Sequence, residues 1–299
     1  MAIPLGINLS FCVKRWVTPE LWARIVREEL GLGLVQLSFD LVDPTWPDDL
    51  LAEIAADTKA AAARYDLTIH SAFIGLAHYT FNQLLHPHPR VRDLAEAWLV
   101  RAYRFAALAG IAAVGGPLGA IAARPDGSAP DAIPEEDYRD LIARMHRLAA
   151  AAKAEGLSEL YVEPTPLTRE WPWSIDQAKR MSADMADAAL PWKYCLDWGH
   201  GTFEPLYGRG GASMEPWFRQ LAAETGMIHL QQTDYQLDRH WDFTEAGAVE
   251  PAAAADLIGR TGLGDRPVFL EVFYPFERDD ASVLAAVRAS VQRIAPAFA

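Results

Sequence analysis

The chain has 299 residues, 51% of them hydrophobic and 22% charged, which excludes a disordered chain and supplies ample apolar material for a core. Its 40 acidic residues against 27 basic ones give a net charge of −13, a field that repels nucleic acid and anionic membrane and excludes both as expected partners. Cys12 and Cys195 sit in apolar segments, residues 1–11 lack a basic, apolar leader and no run reaches membrane-spanning length, so a reduced, cytoplasmic protein is expected.

In chain order, short apolar runs alternate with amphipathic ones. Strands are predicted at residues 5–11, 34–39, 67–73, 111–115, 160–163, 193–197, 227–233 and 268–272. Most are near-continuous hydrophobic runs, as in strands covered on both faces of a parallel sheet. Helices are predicted at 19–29, 48–65, 90–108, 134–154, 175–188, 214–225, 251–261 and 281–294; Thr18 is the expected N-cap of the first, with Pro19 at its first position. Eight strands alternating with eight helices predict a single domain over residues 1–299, a (β/α)8 TIM barrel. No Gly-x-Gly-x-x-Gly follows the first strand, which disfavours a dinucleotide-binding sheet. The longest insertions, 74–89, 118–133 and 199–213, all follow strands and so belong to the C-terminal face, where barrel enzymes build their sites.

The acids carry the chemical signal. Glu163, Asp197 and Glu271 close the fifth, sixth and eighth apolar runs. Buried carboxylates are costly alone, and three converging on one barrel mouth repel each other unless a cation lies between them. Hard oxygen donors favour Mg2+ or Mn2+, with an imidazole or amide completing the set. On the seventh strand His229 and Gln231 share a face by the period of two, so either reaches such an ion. A structural network with arginines is the alternative for any one acid alone.

His200, in Asp197-Trp198-Gly199-His200, is placed to polarise a substrate oxygen. His70, read as ending the third strand, either lines the same mouth or is a satisfied core histidine. His86 and His88, in His-Pro-His-Pro, read as a turn. Lys14, Arg15, Arg169 and Arg239 lie near strand ends, where a cation holds a phosphate or a hydroxyl-rich substrate. The stretch Tyr207-Gly208-Arg209-Gly210-Gly211 offers backbone N–H groups to an anion, but it is not a P-loop and a plain flexible loop is the preferred reading. Trp171 and Trp173 are expected to be exposed, covering a substrate or a neighbour in a homo-oligomer.

Together these residues resemble the xylose-isomerase-like TIM-barrel superfamily of sugar epimerases, isomerases and dehydratases, over essentially the whole chain. In its ketose 3-epimerase branch Glu, Asp, His and Glu from the fifth to eighth strands hold a metal and the two glutamates move protons. The resemblance therefore implies Glu163 and Glu271 as catalytic residues, Glu163, Asp197 and Glu271 as metal ligands, and a fourth ligand at Gln231 where the family carries histidine, with His229 the alternative. It implies substrate contacts from His200, Arg239 and Glu170. The stretches from Asn8, Phe39 and His229 look most like tetrulose-phosphate 3-epimerases.

The expected reaction inverts C3 of a short ketose or ketose phosphate through a metal-stabilised enediolate, one glutamate removing the proton and the other returning it on the opposite face. Lys14 or Arg15 would neutralise a phosphate. An aldose–ketose isomerase or a sugar-acid lyase (dehydratase or decarboxylase) uses the same metal chemistry and stays open. A non-catalytic sugar-binding barrel predicts metal without turnover. A metal-cluster DNA-repair nuclease is disfavoured by the negative charge and the scattered histidines.

Overall fold

The computed structural model describes residues 2–126, 133–208 and 212–299. Parallel strands β1 (Leu5–Asn8), β2 (Leu34–Ser38), β3 (Thr68–Phe73), β4 (Ala113–Gly116), β5 (Glu159–Val162), β6 (Trp192–Asp197), β7 (Thr225–Leu230) and β8 (Val268–Leu270) close in sequence order into a barrel. β8 returns to β1 with Leu5 opposite Val268 and Ile7 opposite Leu270. The expected TIM barrel is the observed fold.

The outer layer consists of helices Pro19–Arg24 (continued through Ile25–Glu29), Asp48–Arg64, Pro89–Ala109, Glu135–Glu155, Ile175–Asp184, Met214–Gln220, Pro251–Arg260 and Asp280–Phe298. Pro19, Pro89 and Pro251 begin helices where a missing N–H costs nothing. Gly110 and Gly156 end two of them in the left-handed conformation. Thr18 occupies an N-cap position, but its side chain makes no capping bond. One apolar cluster fills the space between barrel and helices. None of the described helices is long and apolar enough to cross a membrane.

Several boundaries differ from expectation for local reasons. β1 stops at Asn8 because the Asn8 side chain accepts from the Ser10 N–H and caps a 3-10 turn at Leu9–Cys12. The helix predicted through 225 ends at Gln220, and Thr225 opens β7. Short helices at Leu76–Tyr79, Trp198–Gly201 and Glu204–Tyr207 occupy loops after β3 and β6. Trp171 is not exposed. It is buried against Tyr138, with ring centroids 5.4 Å apart, and Trp173 is half-buried. Residues 209–211 of the glycine-rich stretch lie outside the described residues.

The alternation of side chains along a strand decides what lies inside the barrel. Tyr161, Cys195, Met227 and Phe269 pack with Phe73 and Ala113 into an apolar plug. Two residues further along the same four strands come Glu163, Asp197, His229 and Glu271, all on the inward face above that plug. Two register shifts, between Val35 and Gln36 and between Tyr194 and Cys195, lie beside this layer, where bulges re-aim side chains.

Candidate metal centre

The four groups converge tightly. One ligand atom from each of Glu163, Asp197, His229 and Glu271 lies within 4.8 Å of every other, and all four residues are buried. His229 Nδ1 is 2.9 Å from Glu163 Oε1 and 2.8 Å from Glu271 Oε2. Among the described residues none of the three acids pairs with a lysine or arginine; their ionic neighbours are the imidazoles of His200, His229 and His240. Asp197 Oδ2 is buried without a hydrogen-bond partner, an orphan that natural structures seldom leave. Three carboxylates, an imidazole and an unsatisfied oxygen fit a divalent cation.

The electrostatics are asymmetric. Burial holds the Glu163 carboxyl above the usual range, and His229 only partly offsets it. Burial also pushes Glu271 up, but His229 and His240 outweigh it and hold Glu271 low. Burial opposes charge on His200, yet Asp197 and Asp238 raise it well above its ordinary value. Geometry agrees: His200 Nδ1 faces the Pro164 carbonyl at 2.9 Å and Nε2 faces Asp238 Oδ2 at 3.1 Å, so both nitrogens carry protons. His200 is thus already engaged on both sides.

A second set adjoins the first. Asp238 bridges His200 and His240, and its Oδ1 accepts from Gln231 Nε2 at 2.7 Å. Gln231 Nε2 also donates to Asp197 Oδ1 at 2.8 Å, while its Oε1 accepts the His240 backbone N–H at 2.5 Å. The amide therefore turns its nitrogen toward the acids and commits its oxygen elsewhere. Of the two residues offered for the fourth position, His229 is the one presenting a ring nitrogen between the glutamates. Gly199 makes this packing feasible, since a Cβ there would lie 2.5 Å from Gln231 Nε2.

The remaining predicted residues divide. Glu170 is buried, accepts from Tyr79 Oη at 3.0 Å and has its other oxygen unpartnered. Lys14 and Arg239 line a cavity of about 1280 Å3. That cavity adjoins the centre through Phe273, whose ring lies 4.8 Å edge-on from His240. Arg239 grips Asp234 and lies over Trp241. Lys14 has no carboxylate partner among the described residues; its ammonium lies 4.2 Å over the Phe276 ring. Arg15 is spent on Asp280 and the carbonyls of Arg278 and Pro275.

Of the two places expected for His70, the barrel mouth and the core, its packing corresponds to the core. It lies three residues before the end of β3, with its ring packed on Tyr161 and Phe269 of the plug, below the acids. His86 and His88 form the predicted turn, and His88 caps the helix that follows. Sequence reasoning overlooked Asn8, Gln36, Asp238 and His240. The available signals were a lone amide inside each of two apolar strands and the acid and imidazole flanking Arg239.

Comparison with known proteins agrees with this architecture. The family model described as "Xylose isomerase-like TIM barrel" matches residues 26–292. A crystal structure of a Rhodospirillum rubrum ATCC 11170 protein, provisionally named a xylose isomerase, is 41% identical over 98% of both chains, with a TM-score of 0.92. The D-erythrulose 1-phosphate 3-epimerase of Brucella abortus (strain 2308) is 25% identical over 99% of this chain and 96% of its own. D-psicose 3-epimerase from Clostridium cellulolyticum H10, solved with D-tagatose, shares the fold at 14% identity, 100% and 99% coverage and a TM-score of 0.74. The chain belongs to the xylose isomerase-like TIM-barrel family.

Proposed function

We propose that this chain is a metal-dependent 3-epimerase of short ketoses or ketose phosphates, with a tetrulose phosphate as the leading substrate. The observation that carries the proposal is the placement of Glu163 and Glu271 on β5 and β8 flanks, each within 3 Å of His229 Nδ1. Inversion needs a proton acceptor and a proton donor on opposite faces of one carbon, and two carboxylates flanking a common centre supply them. The full-length relationship to the Brucella enzyme supports the substrate class.

Glu163, Asp197, Glu271 and His229 would hold Mn2+ or Mg2+, with Gln231 steadying Asp197. A bound divalent cation supplies polarisation of a substrate carbonyl and stabilisation of developing negative charge. The chain's own work is to bind, orient and move the proton. Glu163 and Glu271 exchange it with C3; Glu170 and His200 border the substrate position; Arg239 orients substrate oxygens from the cavity wall; Lys14 meets a phosphate. Glu163→Gln and Glu271→Gln should each abolish deuterium uptake at C3 of the substrate in heavy water. Undiminished exchange in both variants removes the proton-transfer roles.

The provisional name of the 41% identical Rhodospirillum protein favours a second reading, aldose–ketose isomerisation. The same experiment separates the two, because an isomerase exchanges hydrogen between C1 and C2 and leaves C3 unlabelled.

A further inference from the structure

Beneath the acids runs a chain of hydrogen bonds with a fixed direction. It begins at the Ser10 backbone N–H, which donates to Asn8 Oδ1 at 2.8 Å. A backbone N–H can only donate, so the group it meets is the amide oxygen and the other end of Asn8 is the NH2. That NH2 donates twice, to Gln36 Oε1 at 2.6 Å and to Glu271 Oε1 at 2.9 Å. The Gln36 atom facing Asn8 must therefore be its oxygen. Its nitrogen turns the other way, to Ser71 Oγ at 3.1 Å and the Met227 sulfur at 3.2 Å. The same Gln36 oxygen lies 2.7 Å from His229 Nε2. An amide oxygen only accepts, so Nε2 carries the hydrogen.

We infer that Asn8 and Gln36 are positioning residues that keep a hydrogen on His229 Nε2, so that a cation entering the centre takes the place of the proton between Nδ1 and the Glu163 and Glu271 carboxylates and finds His229 as the Nε2–H tautomer with Nδ1 as ligand atom. Every participant except the Met227 sulfur is a polar group buried in the barrel interior, where an unmet donor or acceptor is expensive. The alternative tautomer would set a bare Nε2 against the Gln36 oxygen and break the chain. Asn8 has a second effect, because its other N–H anchors Glu271 Oε1 and leaves Oε2 to face the centre. β1 and β2, which contribute none of the clustered acids, thus set the orientation of a ligand on β7 and another on β8.

The inference rests on reading the cluster as a cation centre, and its test uses neither substrate nor turnover. In 15N-histidine-labelled protein loaded with Mg2+, long-range 1H–15N spectra should show the His229 ring with a protonated Nε2 and an unprotonated, ion-shifted Nδ1; the resonance is assigned by its loss in His229→Gln. Gln36→Leu, which removes the acceptor, should weaken Mg2+ or Mn2+ binding measured by calorimetry by about 10–100-fold. Gln36→Glu, which keeps an acceptor for both Asn8 and His229, should bind within a few-fold of wild type. An Nδ1–H tautomer in the loaded wild type overturns the inference even if Gln36→Leu does not fold. Equal affinity of Gln36→Leu and wild type overturns it too. A wild type that takes up neither ion removes the cation-centre reading itself, and this inference falls with it.

Discussion

Gln231 and Asp197 meet across the seam between β6 and β7, the amide nitrogen donating to Oδ1 at 2.8 Å while Oδ2 is left without a partner. One oxygen of Asp197 is thereby tied down and the other is aimed, which suits an acid meant to grip an ion.

Removal of metal should therefore soften the protein. With ion at about a hundred times its Kd, binding contributes about 2.7 kcal/mol, so EDTA should lower the melting temperature of wild type by several degrees. Asp197→Asn removes one of three converging charges. It should melt at the EDTA-treated wild-type temperature or slightly above, and respond to neither EDTA nor Mn2+. Differential scanning calorimetry with and without chelator checks both.

Gly199→Ala tests the close approach. Its backbone accepts a side chain, but the new Cβ would sit 2.5 Å from Gln231 Nε2 and push the amide off Asp197. The expected cost is about 1–3 kcal/mol in urea denaturation, with weaker metal binding. Gly259→Ala, also helical and with nothing within 4 Å of the added carbon, is the control; it should be neutral or stabilising by up to about 1 kcal/mol. Equal effects of the two substitutions would contradict the packing argument.

Lys14→Met tests the phosphate assignment. An uncommitted ammonium on the cavity wall interacts with a phosphate by about 1.5–3 kcal/mol. KM for a phosphorylated tetrulose should rise about 10–100-fold with little change in kcat, and KM for the unphosphorylated ketose should hold. Parallel loss on both substrates would place Lys14 outside the phosphate contact.

Acid stability has a contribution remote from the site. Burial pushes the Glu159 carboxyl up, but Lys193 at 2.7 Å and the Tyr161 hydroxyl outweigh it and hold it below its ordinary value of 4.5. Because the folded value is depressed, the stabilisation is fully present above pH 4.5 and disappears as pH falls through the folded value. Glu159→Gln should flatten the acid limb of the stability curve below pH 4.5. Activity should be unchanged, since the apolar plug separates Glu159 from the centre.

Much of this molecule is legible in its sequence, for identifiable reasons. Strands buried on two faces leave continuous apolar runs, and an acid at the end of such a run has nowhere to go but the barrel mouth; that locates Glu163, Asp197 and Glu271. What escapes are residues whose position depends on tertiary contacts. Asp238 and His240 lie in a loop that returns to the barrel through a bridge between Gln232 and Trp241, and no periodic pattern marks that return. Gln36 is a single amide among hydrophobic neighbours, visible only as an exception. The helical turns at Leu76–Tyr79 and Trp198–Gly201 are too short for a 3.6-residue period to register. His70, open in the sequence between the mouth and the core, is the converse case: a strand pattern places the histidine in the barrel but does not fix its layer.

The hydrogen bond from Asn8 to Glu271 joins partners 263 positions apart, across the β1–β8 junction. A nascent chain that has reached β7 already owns three of the four clustered donors, yet Glu271 is still missing and the cylinder has a gap. On the proposed cation-centre reading, the donor set is complete only when β8 has closed the cylinder, so chelated protein should exchange amide hydrogens first along that junction.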